Sequence, residues 1–242
     1  MIRAILFDLD ATLLDNDMRT FLPPYFQALC AKLEGCVPPD RLTRQIMEST
    51  QRMIQNTDPT RTNEEIFTAD FFAKIGHSPD ELWPLFTDFY ERDFPALQKY
   101  TQPRPEARQV VQECFDRGYD VVIATSPVFP LRAVQHRLEW AGVADFPYAL
   151  ITTYENMHSC KPQPRYYVEI AERIGREPSE CIMVGNDAEA DIAPAAQAGM
   201  HTFYVVYGDM EAKTAAADYH GTLMDFLRLL RSWPAPKDAE AR

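Results

Sequence analysis

The sequence has no apolar run as long as a membrane-spanning helix, no dense run of lysine and arginine, and no two cysteines at zinc or redox spacing. Each gap removes a class of function. The run from Ile2 to Phe7 is interrupted by Arg3 and stopped by Asp8, too short for the core of a signal peptide. No membrane association is expected, and a cytoplasmic location is. A net charge of −12 with no basic patch repels nucleic acid and anionic lipid, so neither is an expected partner. The cysteines Cys30, Cys36, Cys114, Cys160 and Cys181 are odd in number and scattered, which predicts free thiols in a reducing compartment. Repeats of solenoid period are missing too.

What remains is an ordinary globular composition. With 242 residues, 46% hydrophobic and 25% charged, the chain can form one large domain or a core domain carrying a smaller one. Four short apolar segments read as buried strands: Ala4 to Phe7, Asp120 to Thr125, Cys181 to Gly185 and Thr202 to Val206. Helical patterns separate the later ones, over 105–119 and 164–175, each ending near a glycine. Strands alternating with helices predict an α/β fold with a doubly wound, mostly parallel sheet. Residues 18–100 break that alternation with four helical patterns and no strand. Their aromatics, among them Phe71, Phe72, Trp83, Phe86, Phe89 and Tyr90, recur every three or four residues and predict the core of a helical bundle. A last amphipathic helix is expected near 222–233, and 233–242 is expected to be a flexible tail.

Four polar clusters stand at strand ends or in short loops. Asp8, Asp10 and Thr12 follow the first strand, where period-2 geometry would point both carboxylates the same way. Thr125 and Ser126 follow the second, offering hydroxyl and backbone N–H groups to a phosphate oxygen. Lys161 lies in "CKPQP", and Asn186, Asp187 and Asp191 lie in "GNDAEAD" after the third strand. Each cluster alone has a plain structural reading: a loop entry, a turn, a solvated lysine, a helix-start carboxylate. Their order does not.

Taken together, the four clusters resemble the motifs of the haloacid dehalogenase-like hydrolase superfamily, in its subfamily with a C1-type helical cap, similar to phosphoglycolate phosphatase. The resemblance implies a Rossmann-like core over 1–17 and 101–232 with the cap over 18–100. It implies Asp8 as nucleophile forming an aspartyl-phosphate, and Asp10 as the acid and then base. By the same resemblance, Thr12 orders the loop, Thr125 and Ser126 bind phosphate, and Lys161 steadies Asp8 and the phosphate charge. Mg²⁺ is implied between Asp8, the Asp10 carbonyl and an acid of the last motif. Asp187 is the favoured acid there, with Asn186 and Asp191 as supporting candidates. A cation and an ammonium make physical sense, since a carboxylate attacking a phosphate dianion meets like-charge repulsion.

The implied reaction is hydrolysis of a small phosphorylated metabolite by a monomer or homodimer. A phosphomutase and a non-catalytic binder of a phosphate ligand are the alternatives. Asp10 argues against the dehalogenases, which need no leaving-group protonation. Lys32 and Lys74 are expected to be surface lysines rather than a phosphonatase lysine. Arg41, Arg44, Arg52 and Arg61 are candidates for contacting the leaving group. One departure from the family carries its own expectation: Ala11 stands where glycine is usual, and is predicted to take a negative φ.

Overall fold

The computed structural model describes residues 1–207 and 217–236. Its centre is β1 (Ala4–Phe7), fully buried along its length. Ile5 and Phe7 face one hydrophobic cluster and Ala4 and Leu6 the other, so both sheet faces are covered, as a central parallel strand requires. Around it stand β4 (Asp120–Ile123), β5 (Leu150–Ile151), β6 (Cys181–Gly185), β7 (His201–Val205) and β8 (Tyr219–Gly221). These form one six-stranded sheet in the order β5-β4-β1-β6-β7-β8, with every neighbouring pair parallel. The chain leaves β1 toward β4 and β5, then crosses back to β6. That reversal opens a crevice at the carboxyl ends of β1, β4 and β6.

Helices cover the sheet: α5 (Ala107–Asp116), α6 (Leu131–Trp140), α7 (Pro164–Arg173), α8 (Ala193–Gln197) and α9 (Leu223–Ser232). The predicted strands and the helices α5, α7 and α9 fall within a few residues of their expected places. β5, β8 and α6 were not foreseen. β5 is two half-buried residues, too short to carry a period.

Between β1 and α5 lie α1 (Met18–Lys32), α2 (Pro39–Ile54), α3 (Asn63–Ile75) and α4 (Pro79–Asp88), the last followed by a π turn at Phe89–Asp93 and a 3-10 turn at Phe94–Tyr100. Local chemistry sets their ends. Asp17 caps α1 by accepting from the Arg19 N–H, Thr62 and Glu65 form a capping box on α3, and Gly76 stops α3 at φ 82°. The two connections to the sheet run side by side as the short antiparallel pair β2 (Leu14–Asp15) and β3 (Gln102–Pro103). Arg104 braces this neck, pairing with Asp15 at 3.0 Å and stacking 3.5 Å from the centre of the Tyr207 ring. Asp15 and Asp17 thus serve the neck and the first cap.

The expected tail differs at its start. Arg117 donates to the Trp233 carbonyl and the Tyr119 hydroxyl to that of Pro234, while 237–242 lie outside the described residues. All five cysteines are free. Among the described residues no helix is long and apolar enough to cross a membrane.

Candidate active site

The first strand ends at Phe7, and the carboxylates that follow are placed by a turn rather than by β-period alternation. The Asp8 N–H still bonds the Val184 carbonyl at 2.9 Å, which fixes Asp8 at the sheet rim. The chain then folds back so that the N–H groups of Thr12, Leu13 and Leu14 converge on the Leu9 carbonyl. Such a tight reversal needs a left-handed residue, and Ala11 supplies it at φ 60°. The expectation of a negative φ is therefore overturned. The reversal brings the Thr12 hydroxyl back over Asp8, and Ala11 bears a strain of roughly 1 kcal/mol for it. The Tyr207 hydroxyl holds the turn by donating to the Thr12 carbonyl at 3.0 Å.

Asp8 is gripped at both oxygens. Lys161 Nζ lies 2.7 Å from Oδ1, and Thr12 Oγ1 lies 3.1 Å from Oδ2. Lys161 also reaches Asp191 Oδ1 at 2.6 Å. Burial works against this ammonium, yet the Asp191 and Asp8 carboxylates hold its pKa well above the ordinary lysine value. Asp191 itself is pushed up by burial and pulled back by Lys161. It can approach only because residue 185 is glycine: a Cβ there would sit 2.3 Å from Asp191 Oδ2.

The segment after β6 turns widely, with a π turn at Ala188–Ile192 in which the Ile192 N–H reaches the Asp187 carbonyl. That extra residue swings Asp191 back under Lys161. Asp191 Oδ2 accepts from the Asp187 N–H, so both its oxygens are engaged. Asp187 Oδ1 caps the turn, accepting from the N–H groups of Glu189 and Ala190 at 2.8 Å each. Asn186 faces the first loop, its Oδ1 3.1 Å from Thr12 Oγ1.

Asp10 belongs to a second cluster. Asn16 Nδ2 donates to its Oδ1 at 2.7 Å and Arg137 pairs with its Oδ2. Arg137 is 1% exposed, with its guanidinium 4.8 Å from the centre of the Phe129 ring. Burial lifts the Asp10 carboxyl above the usual carboxylate range, against the opposing charge of Arg137. A carboxyl so placed keeps its proton more readily than a solvated one.

The donors present fit a hard divalent cation. The Thr12 hydroxyl has one proton for two acceptors, Asp8 Oδ2 and Asn186 Oδ1, and the Asp8–Lys161–Asp191 triad has two acids to one ammonium. Both facts leave acceptor capacity and negative charge in excess. Among the described residues no three His, Cys, Asp or Glu converge as for a metal held wholly by protein. Oxygen donors few in number suit Mg²⁺, which binds one or two carboxylates and retains water.

One cavity of about 800 Å³ is lined on the sheet side by Asp8, Asp10, Thr125, Ser126, Lys161, Asn186, Asp187 and Asp191, with Thr12 buried behind them. Thr125 is 1% exposed, its carbonyl fixed by the Thr152 and Tyr166 hydroxyls. The model of the haloacid dehalogenase-like hydrolase family matches residues 2–199, which takes in every one of these residues. The chain belongs to that family.

As a haloacid dehalogenase-like hydrolase it has relatives of known name. It is 24% identical over 220 residues to a glyceraldehyde 3-phosphate phosphatase of Methanopyrus kandleri, covering 88% of this chain and 89% of the relative. It is likewise 24% identical over 220 residues to a phosphoglycolate phosphatase of Aquifex aeolicus, covering 90% and 91%. The fold matches that of a haloacid dehalogenase-like phosphatase from Thermococcus onnurineus with a TM-score of 0.59 at 21% identity, over 97% of this chain and all of that one.

Of the cavity's sheet-side polar residues, the sequence pointed to Asp8, Asp10, Thr125, Ser126, Lys161, Asn186, Asp187 and Asp191 but not to Arg137 or Asn16. Leu131, Val134 and Leu138 behind Pro130 carry a helix signal for α6. A single arginine on such a helix reads as a solvated charge, and nothing local ties it to a carboxylate 127 positions earlier. Conversely, Arg41, Arg44, Arg52 and Arg61 do not line the cavity, and neither do Lys32 and Lys74. Lys32 pairs with Asp88 and Asp93, Lys74 with Asp70, Arg41 with the Lys74 carbonyl and Arg61 with that of Glu65. Phe71, Trp83, Phe86 and Tyr90, expected as bundle core, also wall the cavity.

Proposed function

We propose that this hydrolase is a Mg²⁺-dependent phosphatase acting on a small phosphate monoester through an aspartyl-phosphate on Asp8, with residues 18–100 as its cap. The observation that carries the reading is the contrast between two carboxylates two residues apart. Asp8 accepts from Lys161 and Thr12, one at each oxygen, while burial makes Asp10 a carboxyl that keeps its proton more readily. That is the division of labour a nucleophile and a general acid need.

In the first step an Asp8 oxygen forms a bond to phosphorus while the ester P–O bond breaks. Asp10 gives its proton to the departing alkoxide. In the second, Asp10, now a carboxylate, takes a proton from water, whose oxygen bonds phosphorus as the bond to Asp8 breaks. Phosphate leaves and both carboxyl groups return to their starting state. Lys161 offsets charge on the phosphoryl oxygens, with Asp191 holding the ammonium in place, and Thr125 with Ser126 receives the phosphoryl group. Asp8, Asp187, Asn186 and the Asp10 carbonyl would hold Mg²⁺, which offsets the repulsion between Asp8 and a phosphate dianion. Relatives named as phosphatases of glyceraldehyde 3-phosphate and phosphoglycolate support a small phosphorylated substrate.

The test is phosphate release from an aryl phosphate with Mg²⁺. Wild-type protein should turn over and Asp8→Asn should lose on the order of 10⁴-fold or more in kcat. No release by wild type across a broad panel of phosphate esters would refute the reading.

A further inference from the structure

The cavity is charged on the sheet side and almost wholly apolar on the other. Phe26, Ile46, Met47, Phe67, Trp83 and Phe86 face the acids from α1, α2, α3 and α4. Of the wall's phenols, Tyr25 and Tyr90 satisfy each other, their oxygens 2.9 Å apart, and Tyr154 pairs with Glu64. Three cations reach the wall, and each has a carboxylate partner. Lys161 bridges Asp8 and Asp191, and Arg137 pairs with Asp10. Arg19 pairs with Asp17 on a side chain 92% exposed. A substrate carrying a carboxylate beside its phosphate, as phosphoglycolate does, would meet no cation on the helical wall except Arg19 at its exposed rim, and Arg137, already paired with Asp10, keeps its one unpartnered nitrogen buried.

Size points the same way. At roughly 30 Å³ per molecule, 800 Å³ corresponds to on the order of 25 waters. A phosphoryl group with a two-carbon leaving group displaces a fraction of them and leaves the rest against aromatic walls. An apolar leaving group displaces them and gains about fourfold in affinity for each methylene it buries.

We propose that the substrate is a phosphate monoester of a sizeable uncharged apolar alcohol, a medium-chain alkyl or arylalkyl phosphate. The proposal rests on the phosphatase reading, with the leaving group lying against the face of α2, α3 and α4.

The experiment compares kcat/KM with Mg²⁺ for ethyl, butyl, hexyl and 3-phenylpropyl phosphates, whose leaving groups are matched in basicity, and for phosphoglycolate. From ethyl to hexyl the expected rise is on the order of a hundredfold, with 3-phenylpropyl near hexyl and phosphoglycolate no better than ethyl. A flat series, or phosphoglycolate above hexyl phosphate, overturns the proposal. Calorimetry of ethylphosphonate and hexylphosphonate binding, neither of which can be hydrolysed, reads the same preference without turnover. Tighter hexylphosphonate supports the apolar site even if no ester is cleaved, and equal affinity overturns it even if all are. Met47, 52% exposed on α2, tolerates a longer side chain. Met47→Arg should lower the hexyl-to-phosphoglycolate ratio at least tenfold, and an unchanged ratio counts against the placement of the leaving group.

Discussion

The two walls of the cavity are built on opposite principles. On the sheet side, charges are buried but paired within hydrogen-bond reach: Asp8 and Asp191 with Lys161, and Asp10 with Arg137. On the helical side, aromatic and aliphatic side chains face open volume with hardly a polar group. The sheet side holds acids, a lysine and hydroxyls at positions fixed by strand ends and a glycine. The helical side holds a shape, which many residues could supply. The difference teaches that, under the proposed function, chemistry and selection are separable: the first falls to the loops after β1, β4, β5 and β6, the second to the helices between β1 and α5.

That separation can be broken from the sheet side, most severely by removing the proposed Mg²⁺. Chelation should lower kcat on the order of 10³-fold, restored by Mg²⁺ and not by Zn²⁺, while alkylphosphonate discrimination by chain length persists. If chelation erased the chain-length preference too, the walls would not be independent. Asp10→Asn comes next. With alkyl phosphates, which need leaving-group protonation, kcat should fall on the order of 10³-fold, and with aryl phosphates far less. Equal losses for both would deny Asp10 its role as acid.

Arg137→Met sharpens the comparison by leaving a buried carboxyl without its cation. Asp10 can respond by protonating, so the expected loss of stability is about 2 kcal/mol rather than the full cost of an unpaired buried charge. Thermal denaturation should show it as a fall of roughly 4–8 °C, partly recovered in the Arg137→Met/Asp10→Asn double variant. No fall would mean the pair does not hold the wall together. The smallest effect is at Ala11, where glycine relieves the φ of 60°. Ala11→Gly should raise stability by about 1 kcal/mol, or roughly 2–4 °C in Tm, and a decrease would contradict the strain assigned there.

The same contrast explains what could be read in advance. Buried parallel strands announce themselves as short β-branched runs, so β1, β4, β6 and β7 were legible, and with them the acids at their ends. Asp8, Asp10, Lys161 and the Asn186-Asp187-Asp191 cluster could be grouped because they follow strand ends or sit in a short loop, in the order of the family's motifs. Phe67, Trp83 and Phe86 were not findable as a cavity wall, since helical spacing of aromatics is the same whether the face meets another helix or empty space. Arg137 was hidden for a different reason: its partner is distant in sequence, and only the folded chain brings α6 against the first loop. Ala11 misled because its side chain favours negative φ, while the three N–H groups converging on Leu9 demand the opposite.

The central claim is that Asp8 is the nucleophile. Acid-quenching the protein during turnover of a radiolabelled phosphate ester with Mg²⁺, followed by peptide mapping, tests it most directly. Hydroxylamine-labile label on the peptide containing Asp8, absent from Asp8→Asn, is the result predicted. Turnover with label on another residue, or single-turnover transfer of phosphate to water with none on the protein, would contradict it.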